Sequence, residues 1–185
     1  MTDKLGDSLD RAVEGAFTRP IPKSAQAQMK YLVKQFKGTK AAAQALGVTQ
    51  RTVERYVVGK LKRPRKDLAA RMEREVRKRW QPQIRARAKK QAATTDGIVV
   101  STRARFGFTA APGTTDDARM RHITQALPPR WAQQLFDARD RGATEQQLLD
   151  IAAQGLGQMY FRDDDRRARD LMVEFTDVEE IEVEL

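Results

Sequence analysis

Cysteine is absent from this 185-residue chain, which removes disulfide frameworks, thiolate chemistry and zinc fingers together. One histidine, His122, leaves too few ligands for a transition-metal centre and excludes sites built on a histidine pair, as in relaxases and rolling-circle initiators. His122 itself is expected to be structural or solvent-facing. No glycine-rich loop precedes a lysine in the P-loop pattern. No apolar run is long enough to span a bilayer, the first residues lack the basic start and apolar stretch of a signal peptide, and no segment repeats. The expectation is a cytoplasmic protein with no membrane partner, no metal and no cofactor of its own.

What is present is charge, unevenly spread. The formal net charge is +10. Through residue 90 there are 24 Lys+Arg against 8 Asp+Glu, a net of +16, and from 91 onward the net is −6. The first half reads as a polyanion-binding surface and the second as something else.

Within the basic half, residues 39–58 carry the pattern of a DNA-binding helix-turn-helix. Gly47 can take the positive φ of a sharp turn. Ala43 is small where two helices must approach, and Leu46, Val48, Val53 and Tyr56 fall at spacings that seal them together. Thr49 suits the N-cap of the second helix. That leaves Thr49, Gln50, Arg51, Glu54 and Arg55 outward, where base edges would be read. Lys60, Lys62, Arg63, Arg65 and Lys66 follow, then a charged helix from Asp67 to about Trp80 with Arg74, Arg77, Lys78 and Arg79. A second basic piece runs from Ile84 to Lys90. Directly after a recognition helix, these cations are expected to contact phosphates.

The remaining elements follow from apolar spacing and breakers. Leu5, Leu9, Ala12, Val13, Ala16 and Phe17 define a first helix, and Ser24 caps a second with Met29, Leu32, Val33 and Phe36. Gln91 to Gly97 reads as a small polar hinge. Beyond it, Ile98–Phe108 and Met120–Leu127 read as strands, with a Pro-Gly loop over Thr109–Asp117 between them. A helix around Trp131, Leu135 and Phe136 ends at Gly142, Thr144 and Gln147 form a capping box for the next, and the alternating acidic tail 178–185 is a final strand at a sheet edge. The predicted fold class is α+β: an all-α helix-turn-helix domain with a long basic helix over 1–93, and a small α+β domain over 94–185.

Nothing in the chain composes a self-contained active site. Asp116-Asp117 and Asp163-Asp164-Asp165 are acidic pairs and runs of the kind that usually remain solvated. On the loop Gly113-Thr114-Thr115-Asp116, a hydroxyl would be accessible and a carboxylate could orient it, though capping of a short helix explains the same residues.

Five stretches together carry a family resemblance: Ala16-Phe17-Thr18-Arg19-Pro20, Tyr31-Leu32-Val33-Lys34-Gln35, Gln50 to Val57, Arg74 to Arg85, and Gly113-Thr114-Thr115-Asp116. Over nearly its whole length the chain resembles the telomere terminal proteins attached to the 5′ ends of linear Streptomyces chromosomes and plasmids. The resemblance implies a protein primer that is not an enzyme. Thr114 would accept the first nucleotide, expected to be dCMP, with Thr115, Asp116 and Asp117 as possible support. It also implies telomeric DNA with its 3′ single-stranded overhang, a telomere-associated protein and a DNA polymerase as partners. Mg2+ or Mn2+ would act through the polymerase, and the protein would sit at chromosome ends in the nucleoid. The reading from a different class is a helix-turn-helix transcriptional regulator with a C-terminal dimerisation or effector domain. An architectural DNA-compaction protein is a third.

Overall fold

A computed structural model describes residues 4–110, 113–116, 119–168 and 170–185, with 109–110 and 113–116 described by backbone alone. The architecture is α+β, and the chain divides into two compact units: Thr18–Pro82, and residues through Phe17 together with Gln83–Leu185.

The inserted unit is helical. Ser24 accepts a hydrogen bond from the Ala27 N–H at 3.2 Å and caps α2 (Ala25–Gln35), which follows α1 (Lys4–Gly15) in the chain. Two short helices follow, α3 (Thr39–Leu46) and α4 (Gln50–Val57), and then α5 (Lys66–Arg79). Gly47, at φ 61° and ψ 41°, turns the chain between α3 and α4. In that turn the Val48 N–H donates to the Ala43 carbonyl at 3.0 Å, satisfying a carbonyl that the end of α3 would leave orphaned. Met29, Leu32, Leu46, Val53, Met72 and Val76 are completely buried, with Ala43, Tyr56 and Leu68 beside them. Burying a side chain of that size stabilises by roughly 1.5–3 kcal/mol before entropy is counted. The entry and exit of the unit are tied together. Gln81 accepts from the Thr18 hydroxyl at 2.8 Å and donates to the Arg19 carbonyl at 2.9 Å, and the Trp80 indole donates to that carbonyl at 3.0 Å.

The other unit is a four-stranded antiparallel sheet with helices on one face. It contains α1, α6 (Pro82–Gln91), β1 (Ile98–Ala110), β2 (Gly113–Asp116), β3 (Arg121–Leu127), α7 (Pro129–Asp140), α8 (Glu145–Leu156) and β4 (Met172–Glu184). β4 pairs along one edge of β1, while β3 (against 98–104) and β2 (against 107–110) share the other edge end to end. Alternation along β1 sends Ile98, Val100, Thr102, Ala104 and Phe106 into the core with Leu5, Leu9, Leu135, Leu148 and Leu156 from the helices. Thr102 is the polar exception, and its hydroxyl donates to the Glu180 carbonyl at 2.9 Å. Arg103, Arg105, His122, Thr124, Glu174 and Glu182 lie on the opposite, uncovered face and are exposed.

β4 is an edge strand, as its alternation predicts, and α1 blunts it. Ser8 accepts the buried Val183 N–H at 2.8 Å, and the Lys4 ammonium donates to the Val178 and Glu179 carbonyls at 3.0 and 2.7 Å. An edge otherwise open to strand addition is thereby closed along part of its length.

Three expectations are corrected. The chain does not divide at 93/94: α1 and α6 belong with the sheet, because Leu5, Leu9 and Val13 bury against it. The stretch from Gln91 to Gly97 is not a hinge but a packed corner, with a π-helical turn over Ala92–Asp96 and Ala92 buried. Gly97 sits there at φ 74°, and a Cβ would fall 2.1 Å from the Leu127 carbonyl oxygen, so only glycine fits. Gly113–Asp116 is a strand rather than loop, since pairing with β1 satisfies its backbone. Within α8, Gly155 lies against Leu127 and Trp131, where a side chain would crowd both. The Thr144–Gln147 capping box forms with both of its hydrogen bonds.

Candidate nucleic-acid interface

Charge also separates between the two structural units. Thr18–Pro82 holds 18 Lys+Arg against Glu54, Asp67, Glu73 and Glu75, a net of +14, whereas the remaining residues carry a net of −4. The helical unit is therefore the cationic body, and α4 is its most sharply amphipathic helix.

α4 starts where Thr49, in an extended conformation, accepts the Thr52 N–H at 3.3 Å. Val53 and Tyr56 hold one side of the helix in the core, so Gln50, Arg51, Glu54 and Arg55 face outward and are exposed. Gln50 is held in place by two donations, to the Thr39 hydroxyl at 3.0 Å and to the Glu54 carboxylate at 2.9 Å. Arg51 and Arg55 have no acidic partner among the described residues, and their guanidiniums keep all their donors for an external acceptor.

The chain leaving α4 is anchored before it becomes free. Gln26 donates to the Val57 carbonyl at 3.0 Å, and the Leu61 N–H donates to the Arg55 carbonyl at 3.2 Å. Lys60, Lys62, Arg63, Arg65 and Lys66 are then exposed, and none is ion-paired among the described residues. Gln26 lies outside any motif, so this anchor left no signal in the sequence.

On α5 the predicted cations separate into two kinds. Arg74 and Lys78 are exposed and without a partner among the described residues. Arg77 pairs with Glu73 at 3.0 Å. Arg79 pairs with Glu75, lies 4.4 Å from the Phe36 ring centre, and its carbonyl accepts the Tyr31 hydroxyl at 2.5 Å. Arg79 thus serves the interior of the unit, and burial holds the Tyr31 hydroxyl above its ordinary value against the opposing pull of that guanidinium. In the second basic piece, α6, two of the four cations are occupied and Arg87 and Lys90 are exposed. Arg85 reaches Asp10 at 3.6 Å and lies over Phe17, and Lys89 meets Asp140 at 2.5 Å.

Thr114 and Thr115 stand in β2 at the rim of the sheet, and register separates them. Thr115 pairs with Phe108, whose ring packs on Phe161 at 5.1 Å on the helix-covered side. Thr114 pairs with Thr109, and Asp116 with Gly107. Asp117 lies outside the described residues. Arg103 pairs with Glu179 at 2.9 Å, while Arg105 has no ion pair among the described residues. Reading the sequence as strand and loop did not single out either arginine, because their common face exists only once β1 is paired. No group of three or more acidic or histidine side chains gathers as a metal site among the described residues.

Fold and surface together define an α+β chain in which a cationic helical unit is inserted into a weakly acidic sheet unit. Comparison with protein-family models, with curated proteins and with solved structures finds no match. Among the described residues no helix is long and apolar enough to cross a membrane.

Proposed function

We propose that this protein is a telomere terminal protein: a DNA-bound primer whose Thr114 hydroxyl accepts the first nucleotide of an end-patching strand. The observation that carries the DNA half of this reading is the unpaired cationic surface of the helical unit. Arg51, Arg55, Lys60, Lys62, Arg63, Arg65, Lys66, Arg74 and Lys78 are all exposed there. The two short helices meeting at Gly47 act as a helix-turn-helix, α4 presents its outward residues to base edges, and the other cations neutralise phosphates.

The priming half rests on the family resemblance at Gly113-Thr114-Thr115-Asp116, which by motif makes Thr114 the attachment residue and Thr115 its neighbour. The threonine Oγ attacks the α-phosphorus of dCTP, an Oγ–phosphorus bond forms, and pyrophosphate leaves. A threonine hydroxyl is a weak nucleophile. The polymerase therefore supplies the metal ions that hold the phosphates and accept the developing charge. This protein supplies the hydroxyl and its position, not the catalysis. A telomere-associated protein would bring it to the 3′ overhang.

The test is incubation with DNA polymerase, telomeric template and labelled dCTP. Wild-type protein and Thr115→Ala are expected to take label, and Thr114→Ala to take none. Equal labelling of Thr114→Ala overturns the site. A native protein free of covalent nucleotide that binds a palindromic duplex overturns the priming reading in favour of a transcriptional regulator.

A further inference from the structure

We propose that the non-helical segment Lys62–Arg65 is a minor-groove arm, with Arg63 and Arg65 entering the narrow groove of A·T-rich duplex beside the groove that α4 occupies. The inference rests on the reading of α4 as a duplex-facing helix and adds to it a second point of base-pair discrimination.

The shape of the segment is the first argument. Residues 61–65 belong to no helix or strand, and Arg65 is extended at φ −62° and ψ 154°. Pro64 fixes its own φ and lacks an N–H that would otherwise need a partner. A bare extended chain is slim enough for a groove about 6 Å wide, whereas a helix of about 10–12 Å with its side chains is not. Arg63 and Arg65, two residues apart, are separated by about 6–7 Å along an extended backbone. That is close to two base-pair steps of about 3.4 Å each.

The anchoring is the second. The segment is free only after Leu61, whose N–H is bonded to the Arg55 carbonyl and whose side chain is half-buried. Its root is therefore fixed at the C-terminal end of α4, within one helical turn of the outward Arg51 and Arg55.

Charge is the third. In α5 the arginines at 71, 77 and 79 each have a carboxylate four residues earlier, at 67, 73 and 75. Arg63 and Arg65 have none among the described residues and are exposed. Narrow A·T-rich minor grooves concentrate negative potential and draw in cationic side chains that reach into them, arginine among them.

The experiment measures binding of the full chain to three duplexes of equal length, alternating A·T, I·C and G·C. Inosine lacks the guanine 2-amino group, so I·C presents a minor groove like that of A·T and a major groove like that of G·C. Wild type is expected to bind A·T and I·C about tenfold more tightly than G·C, as one good base-edge contact provides. The Arg63→Ala/Arg65→Ala double variant is expected to lose that preference, and Arg74→Ala to weaken all three equally. Equal wild-type affinity for the three duplexes overturns the arm, as does a preference for A·T alone or one that survives in the double variant. Failure to bind any duplex overturns the DNA reading itself, so the two failures are distinguishable.

Discussion

Tyr31 joins two kinds of physics in one side chain. Its ring meets Trp80 edge-on with centroids 4.8 Å apart, and its hydroxyl donates to the Arg79 carbonyl. Losing that hydrogen bond in Tyr31→Phe should cost about 1 kcal/mol at neutral pH. The hydroxyl's folded value is raised above the ordinary 10.0, so the unfolded chain ionises first. The corresponding stability is fully present below the unfolded value and is lost as pH rises through the folded one. Urea midpoints measured from pH 8 to 11 should show the wild-type advantage over Tyr31→Phe shrinking at the alkaline end; a constant difference would refute this account. At this scale much was legible. Gly47 and Thr49 announce a turn and a cap because their chemistry is local. Gly97 did not announce its role, since the atom that forbids a side chain there belongs to Leu127, thirty residues away in sequence. Arg79 misled for the same reason: a cation in a basic run looks free until Glu75 and Phe36 are placed beside it.

Among the elements, the long helices and β1 were readable because their apolar residues repeat with the right period over many positions. β2 was not. Four residues are too few to show alternation, and only pairing with β1 makes them a strand. The packed π-helical corner at Ala92–Asp96 resembles a linker in composition, since small polar residues suit both. The contact between α1 and β4 was likewise invisible, joining residues 175 apart. It supports a prediction at this scale. Ser8→Ala leaves the buried Val183 N–H without its acceptor and should destabilise the protein by roughly 1–3 kcal/mol. Ser101→Ala, on the uncovered face, should change stability by less than about 0.5 kcal/mol. Thermal denaturation of the two variants side by side checks this, and equal effects would deny α1 its part in closing the edge.

For the molecule as a whole, the separation of +14 from −4 between the units sets what salt should do. If the helical unit neutralises phosphates, log affinity for duplex falls linearly with log salt concentration, by about 0.9 per contact. Arg74→Ala should reduce that slope by about one contact, and Arg79→Ala should leave it unchanged, because Arg79 is already matched by Glu75. Fluorescence anisotropy over a salt series reads both, and equal slope changes would mean that the pairing within α5 yields to DNA.

The arrangement of the units has a consequence for how the protein is made. Residues 18–82 leave the ribosome as a continuous stretch, and the bonds of Gln81 and Trp80 to Thr18 and Arg19 can fasten that stretch shut as soon as it emerges. α1 emerges earlier still but has nothing to bury Leu5, Leu9 and Val13 against until β1 and β4 are synthesised. The inserted unit is thus able to finish folding before the unit that surrounds it. α1 waits with its apolar side exposed until β4, at residues 172–184, has been made.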